Sequence, residues 1–334
     1  MSRRPIVLCL KLLISAAFLT VIFHMVKAVD FKAVVGRLHP GYLAASVVVS
    51  AAMVLTSCLK WRVLIVNKDH AIPFARLLRF YLIGYYFTAL LPSHVGGDVV
   101  RSAYAGRDIG NQTHAAISVF LERFTGLLFL LLLVVTTPFL VPGLVKTPAV
   151  WVPMAGALML LILLLLVSRI RQPLKAVADH APSVPGIRWV ERIREKGLGF
   201  SCKLKQALKE VRRNPRIAWP TFCLTVLFYT LTWVNVFVSF RAFGVTPPFQ
   251  GIVAVLPVAM VVAMIPIAPM AGLGLAEFSY VFFFGLIGVD ALGAASMGVL
   301  LRAKLLVLGT IGWICHMTLK DRMKRDDAIE TSGG

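Results

Sequence analysis

Charged residues set inside long apolar runs are the candidates for chemistry in this chain. Glu122 and Arg123 lie well within the apolar run 114–141, and Ser118 and Gly126 flank Glu122 at four-residue spacing, which gives one small, polar helix face. Arg302 lies in the middle of the run 291–318, with Gly298 and Gly309 on nearly the same face and Lys304 close by. Glu277 opens the segment 272–289, while Asp98 and Arg101 open a helix that follows a break in the chain. A charge at the centre of a membrane helix costs at least about 2.5–3.5 kcal/mol, so such residues are paired, functional or both. Asp98, Glu122, Arg123, Glu277 and Arg302 are therefore expected to converge on one polar cavity, or else to join helices as internal ion pairs.

Two interruptions give those charges a setting. The first is Leu91-Pro92-Ser93-His94-Val95-Gly96-Gly97-Asp98, and the second runs from Pro266 through Pro269, Gly272 and Gly274 to Glu277. Proline and paired glycines break a helix, and broken helices at membrane depth are tolerated where they line a cavity. Helices restarting after Gly97 and Gly272 would turn free N–H groups and a positive dipole end toward an anion. Arg101, Arg123 and Arg302 would add bidentate contacts suited to phosphate. His94, inside the first break, is a further candidate for headgroup contact. Broken segments placed correspondingly in two halves are the pattern of a transporter-like site at an inverted-repeat interface.

The elements that must hold this site are membrane helices. Of 334 residues 58% are hydrophobic and 15% charged, against about a quarter charged in soluble domains. The apolar segments, roughly 5–26, 42–59, 74–92, 114–141, 149–168, 217–240, 250–268, 272–289 and 291–318, mostly reach spanning length. Backbone polar groups in lipid must be satisfied within the segment, so the fold is all-α. The expected fold is a polytopic helical membrane protein with seven to nine membrane segments, one or two of them re-entrant.

The net charge of +20 sits mainly between apolar runs, a positive-inside pattern rather than a nucleic-acid surface. The stretch 169–216 carries thirteen Lys/Arg against four acids and reads as a cytoplasmic or interfacial insert within one transmembrane domain, residues 1–320. The connection 60–79, with Lys60, Arg62, Lys68, Arg76 and Arg79, is assigned to the cytoplasm as well. Both assignments hold only if one intervening segment enters and leaves by one face, and 74–92 is the best candidate. Both termini are expected in the cytoplasm, the first span being uncleaved and residues 321–334 forming a disordered tail. Lys11 snorkels, Arg241 and Asp290 anchor span ends, and His24, His114 and His316 pack rather than ligate. The five cysteines share no CxxC spacing and read as small hydrophobes, so no metal or other cofactor is expected.

At Leu91-Pro92…Gly96-Gly97-Asp98…Arg101, Glu122-Arg123…Gly126, Pro269…Gly272-Leu273-Gly274…Glu277 and Arg302, the chain resembles a flippase-like membrane family, the lysylphosphatidylglycerol synthase transmembrane region. The resemblance covers essentially the whole chain. It implies re-entrant helices and movement of a phospholipid or lipid-linked intermediate between leaflets of the cytoplasmic (inner) membrane. Many relatives have a glycine and a basic residue where this chain has Ala271 and Ala276, and long members add a soluble aminoacyltransferase domain. This chain ends soon after its last apolar segment, so it is not expected to synthesise lysyl-phosphatidylglycerol. The partners expected are membrane lipids, anionic or polyprenyl-phosphate-linked. No catalytic residue is assigned, and no Walker A motif is present. Two alternatives stand beside translocation: an integral-membrane transferase acting on a lipid-linked sugar or phosphate, and a non-catalytic membrane scaffold.

Overall fold

The computed structural model describes residues 36, 38–65, 72–90, 96–169, 213–265 and 274–332. The first apolar segment, most of the basic insert, and Pro92, His94 and Gly272 lie outside these residues. Every regular element described is helical: α1 (Pro40–Ile65), α2 (Phe74–Leu90), α3 (Gly96–Asp108), α4 (Gln112–Thr136), α5 (Pro148–Arg169), α6 (Pro215–Ala242), α7 (Phe249–Ala263), α8 (Leu275–Gly285) and α9 (Ala291–Ser332). A 3-10 turn, Thr137–Leu140, prolongs α4, and a single helical turn, Pro142–Val145, leads on to α5. Among the described residues, four helices are long and apolar enough to cross a membrane: α1, α4 with its 3-10 extension, α6, and α9 as far as Leu319. The protein is a polytopic helical membrane protein.

Local chemistry sets the helix ends. Asn111 and Asn214 cap α4 and α6, accepting from His114 N and Arg216 N at 3.0 and 3.1 Å, with Pro215 at the first helical position of α6. At the carboxyl end of α6, Gly244 turns to φ 73°, and Val245 N–H reaches back to Phe240 O. The backbone of α9 stays helical to Ser332, through the segment expected as a disordered tail. Lys, Arg, Met, Ala and Glu there are all good helix formers.

Two short-legged hairpins organise the molecule. Helices α2 and α3 run antiparallel: Arg76 pairs with Asp108 at 2.8 Å, Phe80 stacks on Tyr104, and Gly84 meets Gly97. A Cβ on Gly97 would strike Gly84 O and Thr88 Oγ1, so only glycine permits this approach. Helices α7 and α8 form the second hairpin, with Gly251 at the start of α7 against Ile287 beyond the end of α8. Legs of 17, 13, 15 and 11 residues reach roughly 16–26 Å, short of the hydrocarbon thickness of about 30 Å.

Each hairpin is preceded and followed by a long helix, α1 and α4 around the first, α6 and α9 around the second. The packing repeats as well. Helix α2 lies antiparallel along α9, where a Cβ on Gly312 would collide with Leu82 O and Gly309 faces Ala89. Helix α7 lies antiparallel along α4, with Gln250 donating to Leu140 O at 2.6 Å and Thr137 to Ala254 O at 3.3 Å. Helices α1 and α6 pack against each other head to tail, as His39 N–H to Ala242 O (2.9 Å) and Ser50 to Asn235 (3.3 Å) show. Two copies of one four-helix unit are thus arranged in opposite directions.

The larger apolar core joins α4, α5, α6, α7, α8 and α9 around Phe240, Ile252, Leu256 and Phe284, and a second gathers Cys58, Trp61, Leu77, Phe80 and Ala115. Val48, Val152, Met159 and Trp219 are exposed, as a lipid-facing surface requires.

Candidate functional site

The first group of charges forms where α3 starts. Asp98 is the third residue of α3 and receives two arginines. Arg123 of α4 grips it as a fork, donating from Nε to Oδ2 and from Nη2 to Oδ1, both at 3.0 Å. Arg101 donates from Nε to Asp98 Oδ1 at 2.9 Å, and its Nη2 lies 2.6 Å from Glu122 Oε2. That last contact is charge against charge rather than an aligned hydrogen bond. Tyr81 OH donates to the other oxygen of Glu122 at 3.2 Å. Arg101 also lies over the rings of Trp61 and Tyr81, 4.9 and 4.6 Å from their centroids. Trp61 in turn donates to Ser118 at 3.0 Å, so the small face of α4 does hold polar partners.

Burial divides these residues. Arg101 and Glu122 are 2% and 5% exposed, whereas Arg123 keeps 58% of its side chain uncovered. The inner pair ties α3 to α4. The outer arginine is held by one carboxylate and remains open on its other side.

The second group repeats the outer half of the first. Glu277 is the third residue of α8, and Arg302 of α9 donates from Nε to its Oε1 at 2.8 Å. The separation between acid and arginine is 25 residues in both pairs. The shift along the chain that carries Asp98 onto Glu277 also carries Arg123 onto Arg302. It carries Arg101 onto Tyr280 and Glu122 onto Leu301, so the buried inner pair belongs to the first unit alone.

At the amino end of α8, Glu277 Oε2 accepts the N–H of Gly274 at 2.8 Å, with Gly274 at φ 86°. Residue 274, a glycine, offers no side chain to cap the first turn.

The described carboxyl ends of α2 and α7 each run toward the arginine of the other unit. Leu90, the last residue of α2, shares a groove with Leu306, about one turn along α9 from Arg302. From the Thr137–Ala254 contact, α7 continues to Ala263 and comes within roughly two turns of Arg123 along α4.

Among the residues expected to act, Gly96, Gly97, Asp98, Arg101, Glu122 and Arg123 are brought together, and Gly274, Glu277 and Arg302 form the second set. Arg241 stacks on Tyr42 and Phe237, and Asp290 caps Gly293 N–H at 2.9 Å. His114 and His316 contact Ile65 O and Tyr104 OH at 3.1 and 3.0 Å.

Residues that sequence reasoning missed are Tyr81, Trp61 and above all Lys60. Lys60 was placed in a cytoplasmic connection, but α1 continues to Ile65 and buries it at 5% exposure. The apolar residues Trp61, Val63, Leu64 and Ile65 beyond it were the available signal. Lys304 is also buried, donating to Asn235 Oδ1 at 2.7 Å and Ser239 Oγ at 3.1 Å. No group of His, Cys, Asp or Glu that could hold a metal ion occurs among the described residues.

Comparison with known proteins places the chain in a family. The model of the lysylphosphatidylglycerol synthase TM region matches residues 8–312. The chain belongs to that family. A UPF0104 membrane protein of Methanothermobacter thermautotrophicus is 24% identical over 270 residues, covering 75% of this chain and 76% of the relative. The family description concerns the membrane part of a lipid synthase, so a lipid-related membrane role fits the chain.

Proposed function

We propose that this protein moves a phospholipid or a lipid-linked intermediate between leaflets, engaging its phosphate with the arginines of the two acid–arginine pairs. The observation that carries the reading is the recurrence of one device in both units: an acid on the third residue of a short helix after a break, held by an arginine 25 residues on. Oppositely directed repeats with broken helices are the architecture in which a midplane site opens alternately to either side.

The hairpins α2/α3 and α7/α8 are read as re-entrant, since neither leg of either has spanning length. Arg123 in this reading exchanges its carboxylate for a phosphate, since each presents two oxygens that a guanidinium binds bidentately. The positive loops favour, in this reading, a cytoplasmic side of the inner membrane for the insert and both termini. In this reading the chain carries no bond-making chemistry, and its partners are anionic or polyprenyl-phosphate-linked lipids.

Reconstitution of the purified protein into vesicles tests the reading. Exchange of a labelled anionic phospholipid faster than in protein-free vesicles is expected. Exchange no faster than in protein-free vesicles for phosphatidylglycerol, phosphatidylethanolamine and a polyprenyl phosphate alike would overturn it.

A further inference from the structure

Beside the arginines that carboxylates hold, the first unit buries Lys60 and the second buries Lys304. Lys304 has two neutral oxygens for company. Lys60 makes no hydrogen bond or close ion pair with any described residue: the carboxylate that attracts it, Glu122, is already held by Arg101, and Arg123 repels it.

Lysines near the end of a span ordinarily snorkel toward the closer headgroups. Lys60 does the opposite. The nearer end of α1 is Ile65, which lies at the height of His114 on α4. The Lys60 amine instead lies beside Gly126, several turns further along α4, where a Cβ would stand 3.6 Å from Nζ. Gly126 lies one turn beyond Arg123, on the face next to it, so amine and guanidinium are neighbours. Tyr229 donates to Gly126 O at 2.9 Å and brings its hydroxyl to the same spot. The space beside Nζ exists because residue 126 lacks a side chain.

We propose that Lys60, with the uncovered edge of Arg123, forms an anion seat that takes the phosphate of the transported headgroup and gains its missing counter-charge from it. The proposal rests on the translocation reading for the identity of the ligand, but not for the existence of the seat. An unpaired buried cation costs several kcal/mol, and an incoming phosphate removes that cost. A charge-assisted bond to phosphate is worth about 1.5–3 kcal/mol, or roughly ten- to a hundredfold in affinity.

The test is thermal unfolding of the purified full chain in non-ionic detergent, titrated with short-chain phosphatidylglycerol, sodium phosphate, or a diacylglycerol of the same chain length. Phosphatidylglycerol should stabilise the wild type, and diacylglycerol should not. Lys60→Met should unfold at a higher temperature than the wild type without ligand and require at least about tenfold more phosphatidylglycerol for the same shift. Lys60→Arg should keep the response. Wild-type affinity in Lys60→Met overturns the proposal.

Should Lys60→Met not fold, Gly126→Leu fills the space while leaving the lysine, and the same loss is expected. Wild-type affinity there overturns it equally. A Lys60-dependent shift of equal size from sodium phosphate supports the seat and assigns it to phosphate alone. Lys60-dependent lipid binding without leaflet exchange keeps the seat and defeats translocation, whereas no binding to the wild type defeats both.

Discussion

Arg101 and Arg123 reach the same carboxylate from different surroundings, and burial decides what removing each should do. Arg101→Leu strands Glu122, 5% exposed, with the Tyr81 hydroxyl as its remaining hydrogen-bond partner among the described residues, a buried charge without its ion pair that should cost about 3–5 kcal/mol. Denaturant unfolding in detergent measures this, and Arg101→Leu with Glu122→Leu should recover most of the loss. Arg123→Met removes an open pair and should cost less than about 1 kcal/mol, yet it should slow leaflet exchange at least tenfold. If the two variants lose stability equally, the division into a fastening pair and a working pair is wrong. The residues of both pairs were legible in the sequence because a charge inside an apolar run has few explanations. Their pairing was not, since acids and arginines 25 residues apart on separate helices meet only through the hairpin geometry.

At the scale of elements, the hairpins depend on close backbone approach. Gly97→Ala puts a methyl against Gly84 O and Thr88 Oγ1, so the α2/α3 hairpin should splay and the protein should lose its monodisperse elution and several degrees of unfolding temperature. Gly156→Ala, on a face of α5 with nothing near, should leave the unfolding temperature unchanged or raise it. Helix positions were largely readable: 74–92 became Phe74–Leu90, and 114–141 became Gln112–Thr136 with its turn to Leu140. Helix α3 was less so, because Asp98, Arg101, Arg107 and Asp108 leave it without an apolar run, and only the preceding break announced it. Lys60 misled for the opposite reason: a basic residue near the end of an apolar run reads as loop, although the helix continues past it.

For the whole molecule, oppositely directed units fix which ends of the hairpins share a face. The feet of α2/α3, marked by Arg76 and Asp108, belong to one side, and the start of α7 with the end of α8 belongs to the other. In a background without native cysteines, Arg107→Cys and Gln250→Cys should react with a membrane-impermeant thiol reagent from opposite sides of sealed vesicles. Labelling from the same side would contradict the inverted arrangement. Only the breaks and the acids hinted at this repeat in the sequence, because the two units share little else: Tyr280 stands for Arg101 and Leu301 for Glu122.

The central claim is that both acid–arginine pairs work on one anionic headgroup, and leaflet exchange measured in vesicles for paired neutralisations addresses it most directly. Asp98→Asn with Arg123→Met, and separately Glu277→Gln with Arg302→Met, should each bring exchange of an anionic phospholipid down to the protein-free rate while the protein stays folded. Exchange at the wild-type rate in either folded double variant would contradict the account.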